Sequence, residues 1–393
     1  MDTSYTRLFL RFLHFGLLAW GGPVAQIDMI RHELVEEGKW ISRERFNRVL
    51  GVYQLLPGPE AHELCVYFGM LAKGRIGGFL AGLGFMLPGF LLMFTLSWFY
   101  AAYGIKSPLF SGLFYGMQAA VPALIIRATH RIGGHALTDR WLWAIAVVAG
   151  VGHLLDLHFL ITLSFAGVAY IFAKRRKFFP LAFVSAAFLG GSIFYLMIKG
   201  VHVIPESFGL SLEPPSSLRL FFSGLRSGLL TFGGAYTVIS FLQHDAVEVG
   251  RWMTNPQFLN GVALSGILPA PFIIFSTFVG YLGGGPWGAL ILTIGIFLPA
   301  FGMTLIGHRT IEKVVENRSL HSLLDGVTAG VVGLIAATTA HLLKAAIIDL
   351  PSLVILGIAL ASLYRWKEKG TVAAVVLSAG LLGILFKQIF LGT

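Results

Sequence analysis

The stretch QLLPGPEAHE, Gln54 to Glu63, sets two prolines around a glycine and follows them at once with Glu60, His62 and Glu63. Apolar sequence lies on both sides. Proline lacks an amide N–H and stops a helix. Glycine permits a sharp turn, and the next helix then begins with unpaired backbone N–H groups. The composition around this break gives it weight. The 393-residue chain is 56% hydrophobic and 12% charged, with a mean hydropathy of +0.77, whereas a soluble domain carries roughly 25% charge. Phe79–Tyr103, Pro108–Ile126, Phe178–Ile198 and Trp252–Gly307 contain no Asp, Glu, Lys or Arg. A hydrocarbon core needs about 20 helical residues to cross it. The alternation of a membrane β-barrel is absent, so we expect an all-α integral membrane protein with about nine spanning helices.

The net charge of +10 would suggest nucleic acid in a soluble protein. Here the basic residues fall mostly between apolar runs, where they set topology, and no nucleic-acid partner is expected. The single Cys65 excludes a disulfide framework and a cysteine-based metal site. Arg11 and His14 interrupt the N-terminal apolar stretch, which is read as membrane domain and not as a cleaved signal.

The break recurs. WGGPVAQIDMIRHELVEEGKWIS from Trp20 and FGGAYTVISFLQHDAVEVGRWMT from Phe232 align at an offset of 212, without a gap from Gly21 to Pro59. Twelve of these 39 positions are identical, Trp40, Pro57 and Pro59 among them. LLPGP at Leu55 returns as ILPAP at Ile267, and Pro88 matches Pro299 at an offset of 211. We therefore expect a first repeat over 1–198, a linker over 199–217 holding Pro205, Pro214 and Pro215, and a second repeat over 218–393. Loop charge sets their orientation. Lys73/Arg75, a loop over 127–140 with Arg127, Arg131 and Arg140, and KRRK at 174–177 are basic in the first half; in the second, residues 283–286 are GGGP and the loop over 307–320 carries Arg309, Lys313 and Arg318. Equivalent loops then face opposite sides, which predicts an inverted-topology repeat with a cytoplasmic N-terminus.

The arms flanking the breaks, 5–20 with 24–37 and 43–54 with 61–72, are about 18–24 Å long at 1.5 Å per residue, short of the bilayer core. The pattern predicts paired re-entrant helical hairpins, two from each side. Unpaired amides at membrane depth are tolerated where they line a cavity, and a helix N-terminus attracts anions, so the tips predict a small-anion site near the midplane. Its candidates are Gly21, Gly22, Pro23, Gln26, Pro57, Gly58, Pro59, Gly233, Gly234, Tyr236, Pro269 and Pro271. His14 and Arg226 stand seven residues before the two GG tips as candidate counter-charges; Arg226 could equally snorkel. Glu60 is a candidate proton-coupling carboxylate or a plain N-cap. His62, a candidate for proton transfer, could equally be a buried histidine, and Glu63 completes the group. GGFLAGLG at Gly77 and GVTAGVVG at Gly326 carry small residues at helix-packing spacing. His32–Glu33 and His62–Glu63 do not complete H-E-x-x-H, and no nucleophile or phosphate-loop motif appears, so neither an enzyme nor a metal or cofactor is expected.

GGPVAQI, HELVEEGKWIS and LLPGPEA, echoed by GGA, VEVGRW and LPAP, resemble the chromate ion transporter family across essentially the whole chain. The resemblance implies export of chromate across the inner membrane, with sulfate as a chemically similar anion, and places the family's motif residues at Gly21, Gly22, Pro23, Gln26, Pro57, Gly58, Pro59, Glu60, Gly233, Gly234, Pro269 and Pro271. Trp20 and Ala270 depart from the usual Phe and Gly. The expected partners are a tetrahedral oxyanion and the lipid bilayer, with a homodimer as a candidate assembly; a passive anion channel is the alternative function.

Overall fold

The computed structural model of the protein describes residues 4–391 except 55, 104–106, 156, 202–214, 233, 316–317, 367 and 369. Most of the expected linker and the candidate Gly233 therefore lie outside the described residues. The rest form helices and no strand. In chain order the first eight are α1 (Tyr5–Leu17), α2 (Gly22–Arg31), α3 (Arg43–Tyr53), α4 (Glu60–Tyr103), α5 (Pro108–Ala136), α6 (Arg140–Leu154), α7 (Phe159–Lys174) and α8 (Phe178–Val201). The next seven are α9 (Ser217–Leu229), α10 (Val238–Gln243), α11 (Asn255–Gly266), α12 (Phe275–Val315), α13 (Arg318–Ala346), α14 (Leu350–Arg365) and α15 (Thr371–Leu391). Among the described residues six helices are long and apolar enough to cross a membrane, within α4, α5, α8, α12, α13 and α15. The shorter apolar helices α6, α7 and α14 hold 15, 16 and 16 residues.

The duplication seen in the sequence is repeated in the backbone. Ser4 accepts from the Arg7 amide at the start of α1, and Ser216 accepts from the Arg219 amide at the start of α9. Both α2 and α10 run into a π-helical stretch, His32–Glu37 and His244–Val249. Lys39 and Arg251, 212 residues apart, both hold a left-handed φ, 50° and 52°. The agreement is tightest inside the long helices. Lys73 and Gly74 interrupt α4 at φ/ψ of −145°/30° and 62°/−157°; Gly284 and Gly285 interrupt α12 at −152°/26° and 61°/−152°. Positive φ with strongly negative ψ is a region open essentially to glycine alone. One turn conformation has been written twice, and each long helix is two helices meeting at a corner.

Within each half the first helix packs on the long broken one, α1 on α4 and α9 on α12. The other long helices cross over. α5 packs against α14 and α15, while its counterpart α13 packs against α6 and α7; α4 meets α12 and α5 meets α13 at the centre. The closest crossings are glycine crossings. A side chain at Gly116 or Gly383 would strike the facing backbone of the α5–α15 pair, and one at Gly333 would strike Ala146 of α6. GVTAGVVG therefore packs, through Gly326 against Ala166 of α7 and Gly333 against α6, as small-residue spacing anticipates.

Two loops expected from the basic residues are helical instead. Residues 127–136 continue α5, and α12 runs on to Val315 with α13 resuming at Arg318. Basic residues in these segments are tolerated by helix geometry as well as by loops, and charge alone does not end a helix. Arg127, Arg131 and His135 thereby stand four residues apart on one helix face.

A Cβ at Gly74 or at Gly285 would meet nothing within 4 Å, so any cost of substitution there is backbone strain and not a clash. Gly74→Val and Gly285→Val should each destabilise the protein by about 1–3 kcal/mol, read as a lowered unfolding midpoint in detergent. Alanine at Gly190, which also meets no atom within 4 Å and has ordinary helical φ, should leave the midpoint unchanged.

Candidate functional site

The four breaks meet. Gly21 and Gly22 take φ of 88° and 78° ahead of α2, Gly58 takes 151° ahead of α4, and Gly234 takes 120° ahead of the turn Ala235–Thr237. The Gly58 amide donates across to the Thr231 carbonyl of the second half at 2.9 Å. At the equivalent place, 212 residues away in register, the partners are Ala270 and Ala19. There a side chain takes over. Gln26 is buried, and its Nε2 donates to both carbonyls, Ala19 at 2.9 Å and Ala270 at 3.2 Å. One junction is closed by backbone; the other is bridged by an amide that the second half lacks, since Val238 stands at the matching position.

Beside these junctions lies a cavity of about 360 Å³, room for a small oxyanion with several waters of about 30 Å³ each. Pro23 and Glu60, at the N-termini of α2 and α4, line it together with Gly234 and Tyr236 of the second half. Arg131, His135, Tyr170, Lys174 and Asp325 line it too, and the exposed Arg131, His135 and Lys174 mark its mouth. Lys174 bonds Asp325 at 3.1 Å. A narrower cleft of about 20 Å³ continues past Gly21 and Gly22 to Ala270 and Phe272. Tyr236 lines both and stacks on Phe272 with ring centroids 4.2 Å apart.

Glu60 is 8% exposed, and its Oε2 has no hydrogen-bond partner among the described residues. A Cβ added to Gly234 would lie 3.9 Å from Glu60 Oε1, so this carboxylate occupies the junction of tips from both halves. Glu63 is fully buried behind it, beside Gly58, with neither oxygen hydrogen-bonded among the described residues. His62 is buried between the rings of Phe297 and Phe301, at centroid distances of 5.0 and 4.6 Å.

The candidates thus fall into groups. Pro23, Glu60, Gly234 and Tyr236 line the cavity, and Gly21 and Gly22 line the cleft beyond it. Pro57, Gly58, Pro59, Pro269 and Pro271 are buried and shape the turns. Gln26 ties the tips together. Arg226 pairs with Asp245 and lies 4.9 Å over the Phe159 ring, beside a separate groove along α9. His14 is exposed and lines neither the cavity nor the cleft. The cations that do line the cavity, Arg131 and Lys174, read in the sequence only as topology markers. Their signal was there in the spacing of Arg127, Arg131 and His135, which fits one face of a helix.

Together these elements define a multi-pass helical membrane protein with a polar cavity at the junction of its helix breaks. Residues 6–191 and 218–384 match the Chromate transporter family, and the chain belongs to that family. It is 53% identical to the chromate transport protein of Pseudomonas aeruginosa, over 97% of this chain and 92% of that one. It is 29% identical to the chromate transport protein of Cupriavidus metallidurans, over 97% and 94%. An uncharacterized transporter of Bacillus subtilis aligns over 94% of its own length to 47% of this chain at 25% identity, so a relative about half as long exists. No solved structure matches.

Gln26→Leu should remove the donor shared by two buried carbonyls and destabilise the protein by about 1–3 kcal/mol. The check is the unfolding midpoint in detergent; an unchanged midpoint would remove Gln26 from the junction.

Proposed function

We propose that the protein is a secondary active transporter of the inner membrane that exports chromate or a closely related tetrahedral oxyanion. The anion sits where re-entrant tips from two oppositely oriented repeats converge near the midplane. The observation that carries this reading is the single cavity shared by Pro23, Glu60, Gly234 and Tyr236 with Arg131 at its mouth. Two helix N-termini supply partial positive charge and Arg131 a planar set of donors suited to oxyanions. Family membership and the names of its relatives support chromate as the substrate class. The basic mouth, under the positive-inside rule, faces the cytoplasm, so the cavity would load from inside and the N-terminus would share that side. The three shorter apolar helices would bring the crossings to about nine, with tilt and local thinning covering the shortfall. Glu60 is our candidate for the group that couples anion movement to protons, with Glu63 and His62 behind it.

Alternating access is supported by an asymmetry between the halves. The cavity lies between α2 and α5. In the second half the equivalent helices α10 and α13 pack together. That side carries a chain of contacts. Glu248 bonds His244 at 2.7 Å and lies 3.9 Å from His341. The His341 ring stands 6.0 Å from that of His153, which meets Thr338 at 3.2 Å. The counterparts of Glu248 and His341 are Glu36 and Arg131, from offsets of 212 and 210. Glu36 pairs instead with Arg31, His32 and Arg43. The open gap and the latched gap would exchange as the anion crosses, with Glu36 closing on Arg131.

Proteoliposomes should show saturable chromate flux that responds to an imposed pH gradient or membrane potential. No saturable flux under any gradient would reject transport, and large currents that only follow the electrochemical gradient would favour a channel. Arg131→Gln should raise KM about tenfold or more, since a charge-assisted bond is worth about 1.5–3 kcal/mol. Cysteines at Glu248 and His341 should cross-link in the cavity-open state, and cysteines at Glu36 and Arg131 only during turnover. State-independent cross-linking of both pairs would contradict alternation.

A further inference from the structure

The cavity holds a carboxylate where an anion is to bind. Its lining carries two cations, Arg131 and Lys174, and two carboxylates, Glu60 and Asp325. Lys174 and Asp325 answer each other at 3.1 Å. That leaves Arg131 against Glu60, so a bare dianion would enter a site with no surplus positive side-chain charge. Glu60 Oε2 is buried and without a hydrogen-bond partner among the described residues. An ionised carboxylate only accepts hydrogen bonds, and so does a fully ionised oxyanion. Two such groups facing each other repel. A single proton between them turns the repulsion into a short charge-assisted O–H···O bond.

We propose that Glu60 makes this a site for an oxyanion bound together with one proton, held in a shared hydrogen bond between Glu60 Oε2 and an anion oxygen. The proton comes from solvent or arrives on the anion itself. Either route gives the same complex, with charge and atoms conserved. Arg131 and the Tyr236 hydroxyl serve the remaining oxygens. The inference rests on the transport reading above and deepens it in two ways. First, the proton and the anion travel in the same direction. Second, the site discriminates by basicity. Chromate takes up a proton near neutral pH, whereas sulfate does so only in strong acid, so the shared bond favours chromate over an ion of the same shape and charge. Size alone could not separate two tetrahedral dianions so similar.

Several other titratable groups face the same space. Arg131 and His135 come from α5, Tyr170 and Lys174 from α7, Asp325 from α13, Tyr236 from the second tip, and Glu63 lies behind on α4. Of these, His135 is the second base to be separated from Glu60. It is the control.

The test is calorimetric binding of chromate and sulfate to the purified full-length protein, in buffers of different ionisation enthalpy, so that protons taken up per anion are counted. At a pH where chromate is fully ionised, wild type should take up about one proton per chromate, its affinity falling about tenfold per pH unit as pH rises. Sulfate should bind at least about tenfold more weakly, the worth of about one such bond. Glu60→Gln, which offers an N–H donor without a proton, should abolish the uptake and flatten the pH dependence. It should also bring sulfate to within a few-fold of chromate. Glu60→Asp and His135→Asn should keep the proton uptake. Chromate binding by wild type without proton uptake would overturn this proposal and leave the transport reading standing. Absence of any oxyanion binding by wild type would overturn both. Unchanged uptake in Glu60→Gln, or its loss in His135→Asn, would move the proton away from Glu60 and overturn the assignment. Should Glu60→Gln fail to fold, the wild-type proton count and chromate-to-sulfate ratio decide alone.

Discussion

A helix broken inside an apolar protein leaves backbone amides and carbonyls without partners, and no lipid can supply them. This chain breaks four times at matched positions, and its centre is organised by how the freed groups are answered. At one junction the Gly58 amide reaches the Thr231 carbonyl directly. At its counterpart Gln26 spans the gap between Ala19 and Ala270. Both ties run between the halves, so satisfying the backbone and joining the two copies are the same act. Polar groups left over at the tips, Glu60 and Tyr236 among them, line the cavity.

The duplication supplies the scaffold twice, down to backbone angles that agree within a few degrees at Gly74 and Gly285. The chemistry lies where the copies differ. Glu60 answers to Phe272, Gly58 to Ala270, Gln26 to Val238 and Arg131 to His341. Glu60 and Arg131 line the cavity and Gln26 bridges the junction, whereas Phe272, His341 and Val238 do neither. A polar, basic opening lies on one side, while on the other α10 packs on α13 and Glu248 is held by its histidines. Unequal copies of one turn thus give the two halves unequal polar groups at their breaks.

The crossed packing has a mechanical consequence. α5 rests on the last helices of the second half, and α13 on α6 and α7 of the first. Glycine-to-backbone contacts hold these crossings close, leaving little room for sliding. The tip helices α2 and α10 are short and interrupted by π-helical turns, which are frequent where function needs irregular geometry. The crossed helices form a close-packed frame, and the irregular backbone is concentrated at the tips.

The sequence by itself determined the helical membrane class, the twofold repetition and the places where helices break. Those follow from composition, from identities in register and from proline and glycine, all of which act locally. It marked Glu60 as unusual for the same reason, as a carboxylate beside a break in an apolar run. Tertiary structure alone decided which residues share the cavity. Arg131 and Lys174 were visible as charges, but a linear charge pattern reports the side of a membrane and not the distance to a tip folded back from elsewhere. Arg226 and His14, equivalent by register, stand apart from the cavity although α9 and α1 lead into the junction through Thr231 and Ala19: Arg226 turns to Asp245 and His14 is exposed. The pairing of α5 with α14 and α15, and of α13 with α6 and α7, was equally hidden, since the contacts join segments far apart in the chain and depend on surface shape, which no local pattern encodes.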